Sequence, residues 1–257
     1  CDAYDNDCNG TINDNPNLHT KVDMVFAVDI SGSMQGYIDG ISDAISRFVG
    51  NYAGTDHRFG LVVFGQSTGS PLQTAGPQGR VVIDLTGVAA FQTAFSSLLA
   101  NGGGNEPMYD SVYELASSAN KYGINWSDDG HPYIVVVTDE PPRCGNPISG
   151  PAYHCLTSDD SHWKDESTVF DKVNACEISG CGGDPGFRVE TFVIAPTAHY
   201  GKWDSIVYGD QPGRFIEIAP DGAPGSSDYY YGKLQATTFA NVCTIGRSAS
   251  PGTGPAL

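Results

Sequence analysis

The stretch that decides the fold is VDMVFAVDISGSM, residues 22–34. Residues 24–29 form an apolar run of strand length, and a polar turn follows at once. This order predicts a buried strand whose carboxyl end carries Asp29, Ser31 and Ser33. In open α/β sheets ligands bind at that edge, and one carboxylate with two hydroxyls suits a hard divalent cation better than Zn²⁺. We therefore expect Mg²⁺ or Mn²⁺ there, with Ca²⁺ as a further option.

The pattern Asp29-x-Ser31-x-Ser33 also has a purely structural interpretation, in which the turn ends at a serine that caps the next helix. It resembles the opening of the metal-ion-dependent adhesion site of the von Willebrand factor A (VWA) family. A second piece follows in the family's order, because the strongly β-patterned run YIVVVT, residues 133–138, predicts a central strand. The pair Thr138-Asp139 at its end resembles the T-D of the family, which implies that Asp139 contributes to the metal site.

A third piece is the loop NGGGNEP, residues 101–107, which opens into a predicted helix over residues 108–122. It resembles the family's G-G-T-x-L-Y-D-A, and setting MYDS, residues 108–111, on L-Y-D-A puts Glu106 in the place of the metal-binding threonine. The resemblance therefore implies Glu106 as a metal ligand. The alternative is that Glu106 only starts the helix, where the helix dipole favours an acidic side chain.

The resemblance extends over residues 21–247, and we assign residues 20–247 to one domain. It implies an α/β fold with an open, mostly parallel central sheet flanked by helices and a Cys-rich insertion, residues 143–186, after the fourth strand. In the family an acidic residue of the partner completes the coordination of the ion. The resemblance thus implies a secreted or surface-displayed bacterial adhesion module that binds a protein or glycan. The sequence holds no G-x-S-x-G, H-E-x-x-H or P-loop pattern, and we expect no enzyme.

A second hypothesis stays open, a structural subunit of a surface fibre or multi-protein assembly. In such a subunit the metal site would be vestigial or would join neighbouring subunits. The odd number of cysteines, seven, and the tyrosine-rich helix predicted over residues 229–242 favour self-assembly of this kind.

The acidic segment CDAYDNDCNGTINDN, residues 1–15, begins a predicted N-terminal motif of residues 1–17. Its alternating acidic and amide residues followed by a glycine predict the opening half of an EF-hand-like calcium loop. The segment also resembles the C-D-x-x-D-N-D-C-x-G metal-binding motif of secreted bacterial proteins, which implies a Cys1–Cys8 disulfide in preference to lipidation of Cys1. A solvated acidic tail without metal is the alternative. The predicted Ca²⁺ ligands are Asp5, Asp7, Asn9, Thr11 and either Asn13 or Asp14.

Four of the seven cysteines lie in the predicted insertion. We expect two local disulfides, Cys144–Cys155 and Cys176–Cys181, in an oxidising compartment. A zinc site that also uses His154 and His162 is the alternative, but ten residues between Cys144 and Cys155 do not give the spacing of a zinc knuckle. We expect Cys243 to be a buried thiol.

The composition limits the class of partner. The formal charge of −17 and the estimated isoelectric point of 4.4 disfavour nucleic acid and anionic membranes as partners, whereas divalent cations suit an acidic chain. No apolar stretch approaches the ~20 residues that span a bilayer. Residues 248–257 have the composition of a linker.

Periodicity predicts the remaining elements. The segment 88–99 is predicted to be a helix with Phe91, Phe95, Leu98 and Leu99 as its buried stripe. The other predicted strands are residues 59–65, 81–85 (an edge strand), 187–195 and 214–218, and the other predicted helices are residues 36–52, 167–178 and a short one near 203–207.

Overall fold

A computed structural model describes residues 21–65, 79–100, 108–118, 122–141, 166–179, 181, 188–203, 206–207, 215–218 and 227–242. Several predictions lie outside these residues and stay predictions. They are the calcium loop at Asp5, Asp7, Asn9, Thr11 and Asn13 or Asp14, the ligand Glu106, the disulfides Cys1–Cys8 and Cys144–Cys155, the thiol of Cys243 and the linker 248–257.

In the part of the chain that the structure describes, six strands form one sheet in the order β3-β2-β1-β4-β5-β6. All neighbouring strands run parallel except β2 and β3, which are antiparallel. The predicted open, mostly parallel α/β sheet is therefore confirmed, with the third strand at its edge. The strands are β1 Lys21–Asp29, β2 Arg58–Phe64, β3 Gly79–Thr86, β4 Gly130–Val137, β5 Glu190–Ala195 and β6 Phe215–Glu217.

Helices cover both faces of this sheet, so its central strands are apolar on both sides. The alternating residues of β1 show the division: Phe26 packs into the cluster that α1, α2 and α5 complete, whereas Ala27 packs into the cluster on the side of α3 and α4. The helices are α1 Gln35–Gly50, α2 Val88–Ser96, α3 Met108–Leu115, α4 Glu166–Ala175 and α5 Ser227–Val242. None of the helices that the structure describes is long and apolar enough to cross a membrane.

The strand order places the candidate site. The chain leaves β1 toward β2 on one side, while β4 lies on the other side of β1, so the gap between β1 and β4 is a topological switch point. Val28 pairs with Val137 at the carboxyl ends of these two strands. Asp29 directly follows Val28 and Asp139 follows Val137 by two residues, so the two aspartates meet at the same edge of the sheet.

The predicted burial of Leu99 is wrong. Helix α2 ends at Ser96, and Leu98 N–H donates to Phe95 O at 3.0 Å, which is the tighter i→i+3 bond of a helix end. This last turn keeps Leu98 buried but directs Leu99 away from the sheet, and Leu99 is 66% exposed.

The two largest differences from the predicted helix bounds are the end of α3 and the start of the short helix predicted near residues 203–207. Helix α3 ends at Leu115 and not at Tyr122, because Ser117 breaks the ladder: its N–H bonds Glu114 O and its hydroxyl bonds Tyr113 O at 2.7 Å. The short helix expected near residues 203–207 begins earlier, as a 3-10 helix over Thr197–Lys202.

The predicted disulfide Cys176–Cys181 is present just after α4. Cys176 has a φ of +43°, in the left-handed region, which turns the chain back on the helix end. The Nζ of Lys172 lies 2.7 Å from Glu177 in the same turn. The bridge thereby closes the end of α4 against the core, where Cys181 is buried.

A buried ion pair ties the amino-terminal end of the sheet together. The carboxylate of Asp23 in β1 is fully buried, and Arg58 at the start of β2 donates two hydrogen bonds to it, at 2.8 and 2.5 Å. Ser127 adds its N–H at 2.7 Å and its hydroxyl at 2.6 Å. The neighbouring Gly130 leaves the room for this contact, since a Cβ there would lie 2.8 Å from Cγ of Asp23.

Candidate metal centre

The loops that carry the candidate ligands are extensions of the sheet. Ile30 N–H donates to Phe64 O at 3.0 Å, and Thr138 N–H donates to Ile194 O at 3.0 Å. The backbone pairing thus continues for one residue past the end of β1 and of β4. Asp29 and Asp139 are therefore held by the rigid part of the fold and not by free loops.

Asp29 is buried, and each oxygen of its carboxylate has a protein donor. The N–H of Ser31 donates to Oδ1 at 2.7 Å, and the hydroxyl of Thr138 donates to Oδ2 at 2.9 Å. Thr138 belongs to the other loop of the switch point. One carboxylate from β1 is thereby oriented by groups from both loops.

Two serine hydroxyls extend from the buried carboxylate of Asp29 toward the surface. Ser31 Oγ lies 3.0 Å from Ser33 Oγ, and the hydroxyl of Ser33 donates to Asp139 Oδ1 at 3.2 Å. Ser31 is buried, Ser33 is exposed and Asp139 is half-buried. Ser33 and Asp139 therefore lie closer to solvent than Asp29, and the buried hydroxyl of Ser31 lies between Ser33 and Asp29 in sequence and in burial.

Burial dominates the electrostatics of Asp29 and raises its pKa to about 6. The hydrogen bonds from Ser31 and Thr138 oppose this rise in the pKa, and the charge of Asp139 adds to it. An ionised carboxylate at this place lacks most of its hydration and has a second carboxylate nearby. A cation between the two would offset both costs.

The described side chains of this site offer oxygen atoms as ligands. Among the residues described, no three side chains of His, Cys, Asp or Glu come together where they could hold a metal ion. The set described here consists of two carboxylates and two hydroxyls. Such a set suits Mg²⁺, Mn²⁺ or Ca²⁺. Of the five residues predicted for this site, the structure brings together Asp29, Ser31, Ser33 and Asp139, while Glu106 lies outside the described residues.

Thr138 is the participant that sequence reasoning missed. The sequence places it in the T-D pair at the end of a strand, and that resemblance implies no role for its hydroxyl. The available signal was a hydroxyl residue directly after four buried apolar positions, since a buried hydroxyl requires a hydrogen-bond partner.

Neither the protein-family models nor the characterised proteins compared with the chain give a match. Among solved structures, two of proximal thread matrix protein 1 from the mussel byssus are similar, each with a TM-score of 0.53 and 13% sequence identity. The alignment covers 84% of this chain and 47% or 46% of the matrix protein, so the chain spans about half the length of the protein it matches. At this identity the likeness is one of fold alone.

Proposed function

We propose that this chain is a VWA-type adhesion module that binds a protein or glycan through a divalent cation at the carboxyl edge of its sheet. The observation that carries the proposal is the connected set Asp29, Ser31, Ser33 and Asp139, which joins two loops across the switch point. Ligand sites of open α/β sheets lie at this position. The proposal describes a binding module and assigns no catalytic role.

The cation in this proposal is Mg²⁺ or Mn²⁺, with Ca²⁺ as a further option. Ser33 and Asp139 would hold it from the solvent side, the buried Ser31 and Asp29 from the side of the sheet, and Glu106 would add a further carboxylate. When bound, the cation supplies a positive charge that can accept a carboxylate of the partner. Ser33 is exposed, so the partner would approach the cation from the side of Ser33.

We place the module outside the cell, on a bacterial surface or secreted. The Cys176–Cys181 disulfide supports an oxidising compartment. The N-terminal calcium motif, with Asp5, Asp7 and Asn9 among its ligands, would act as a second, structural ion site. The similar mussel protein is named as a thread matrix protein, which accords with a role in extracellular material.

A binding screen against immobilised extracellular proteins and glycans tests this function. We expect binding in Mg²⁺ that EDTA removes and that Asp139→Ala abolishes. Asp129→Ala is the matched control, because that aspartate is 73% exposed and pairs with Lys21 at the opposite end of the sheet. Binding that persists in EDTA would contradict the proposal.

The second candidate function is a structural subunit, with the metal vestigial or shared between subunits. Tyr200 and Tyr229, which are 37% and 38% exposed, favour it, because exposed aromatic side chains are enriched at protein interfaces. Sedimentation velocity over a range of concentrations, with Mg²⁺ and with EDTA, tests it. Self-association that grows with concentration supports a subunit, and a monomer throughout contradicts it.

A further inference from the structure

We propose that the single hydroxyl of Thr138 positions both carboxylates of the metal centre. The inference rests on the proposed function, because it concerns the presentation of Asp29 and Asp139 to a cation. Thr138 is a positioning residue in this account and not itself a ligand.

The first step is the contact with Asp29. The hydroxyl of Thr138 lies 2.9 Å from Asp29 Oδ2, and both side chains are fully buried. The carbonyl oxygen of Glu140 is a second acceptor at 3.4 Å, but the carboxylate oxygen of Asp29 is closer and charged, so the hydroxyl proton points toward Asp29. Together with the Ser31 N–H on Oδ1, this bond fixes the rotation of the carboxylate about its last torsion.

The second step concerns the turn that carries Asp139. Because its proton is used by Asp29, the Thr138 oxygen is free to accept, and the N–H of Glu140 donates to it at 3.1 Å. This bond between a threonine hydroxyl and the N–H two residues later folds the chain into an ST turn. Asp139 lies inside that turn, and there its Oδ1 receives the hydroxyl of Ser33.

One hydroxyl therefore joins the loop after β1 to the loop after β4. Hydrogen-bond partners that orient metal ligands typically change metal affinity by about 10–100-fold when they are removed. The methyl group of Thr138 has a separate role, since it fills space at the end of a buried strand. A substitution that keeps the shape and removes only the hydroxyl separates the two roles.

The test titrates Mn²⁺ into the full chain carrying Asp5→Ala and Asp7→Ala, which remove the predicted N-terminal ion site, and measures the unbound ion by electron paramagnetic resonance, well below the unfolding temperature. We expect Thr138→Val to weaken binding by about 10–100-fold and Thr138→Ser to retain most of the affinity. The matched control is Thr191→Val, because Thr191, in β5, is a fully buried threonine like Thr138 but its Oγ1 has no hydrogen-bond partner. Thr191→Val is expected to bind as the wild type does.

If Thr138→Val does not fold, the pair Thr138→Ser and Thr138→Ala supplies the comparison, because these two variants differ only in the hydroxyl. Equal Mn²⁺ affinity of Thr138→Ser and Thr138→Ala would overturn the inference. That result differs from a failure of the proposed function, in which the wild type and Asp139→Ala would bind Mn²⁺ equally or not at all.

Discussion

Replacing Arg58 with methionine is expected to lower the free energy of unfolding by about 3–5 kcal/mol, because it leaves a buried charge without its partner. Asp23 is fully buried, whereas Arg58 is 27% exposed, so the carboxylate cannot reach water when the guanidinium is removed. The two hydrogen bonds from Ser127 remain, but Ser127 is neutral and does not balance the charge of Asp23. Urea unfolding followed by tryptophan fluorescence measures the change.

The control is Lys21→Met, which removes a cation whose acidic partner is exposed and stays hydrated when the cation is lost. Asp129, the partner of Lys21, is 73% exposed, and such pairs contribute about 0–1 kcal/mol. A loss below about 1 kcal/mol in Arg58→Met, equal to that of the control, would contradict the account of the buried pair.

The pH dependence of the free energy of unfolding provides an independent check on the pair of Asp23 and Arg58. Burial by itself raises the pKa of Asp23, but the hydrogen bonds from Arg58 and Ser127 and the charge of Arg58 outweigh it and hold the pKa below 3.8. A carboxyl whose pKa is lower in the folded state stabilises the fold above its unfolded pKa, and this contribution is lost as the pH falls through the folded pKa. Without Arg58, burial raises the pKa of Asp23 in the folded state. The difference in stability between wild type and Arg58→Met should therefore be largest above that raised pKa, shrink as the pH falls through it, and be smallest below the lowered pKa of the wild type.

The second large effect is stabilisation by the cation. Mg²⁺ at a hundred times its dissociation constant is expected to stabilise the wild type by about 2.7 kcal/mol, because it binds only the folded chain. Asp29→Ala should remove this stabilisation, since it deletes the buried carboxylate that both loops orient.

Thermal unfolding with Mg²⁺ and with EDTA measures this difference in stability. Ser46→Ala in α1, whose side chain is outside the hydrogen-bonded set of the site, is a control that should keep the full shift. An equal Mg²⁺ effect in wild type and Asp29→Ala would place the ion elsewhere in the chain.

The sequence predicted the fold well where burial alone decides it. The runs that became β1, β2 and β4 are apolar on both faces, so their length and the flanking turns were enough to identify strands and their shared edge. The predicted burial of Leu99 was wrong because the apolar periodicity of the sequence continues past Ser96, the last residue of α2. The predicted end of α3 was wrong because the hydrogen bond from the Ser117 hydroxyl to the Tyr113 carbonyl interrupts the helix, which no apolar pattern indicates.

The site was predictable to the extent that its ligands lie in short motifs. Asp29, Ser31 and Ser33 are adjacent in sequence, and Asp139 follows a recognisable strand. The bond from Thr138 to Asp29 was not predictable, because 109 residues separate the two. The same limit applies to Arg58 and Asp23: an aspartate in an apolar strand signals a buried partner, but no pattern says which of the 13 basic residues it is.

The most direct test of the central claim is calorimetric titration of Mg²⁺, Mn²⁺ and Ca²⁺ into the full chain with Asp5→Ala and Asp7→Ala, which remove the predicted N-terminal site. The same chain with Asp139→Ala is titrated beside it. The account predicts one site for at least one of these ions in the parent and its loss in the Asp139→Ala chain. No binding in the parent, or equal binding in both chains, would contradict the claim that the switch point between β1 and β4 is a metal-dependent binding site.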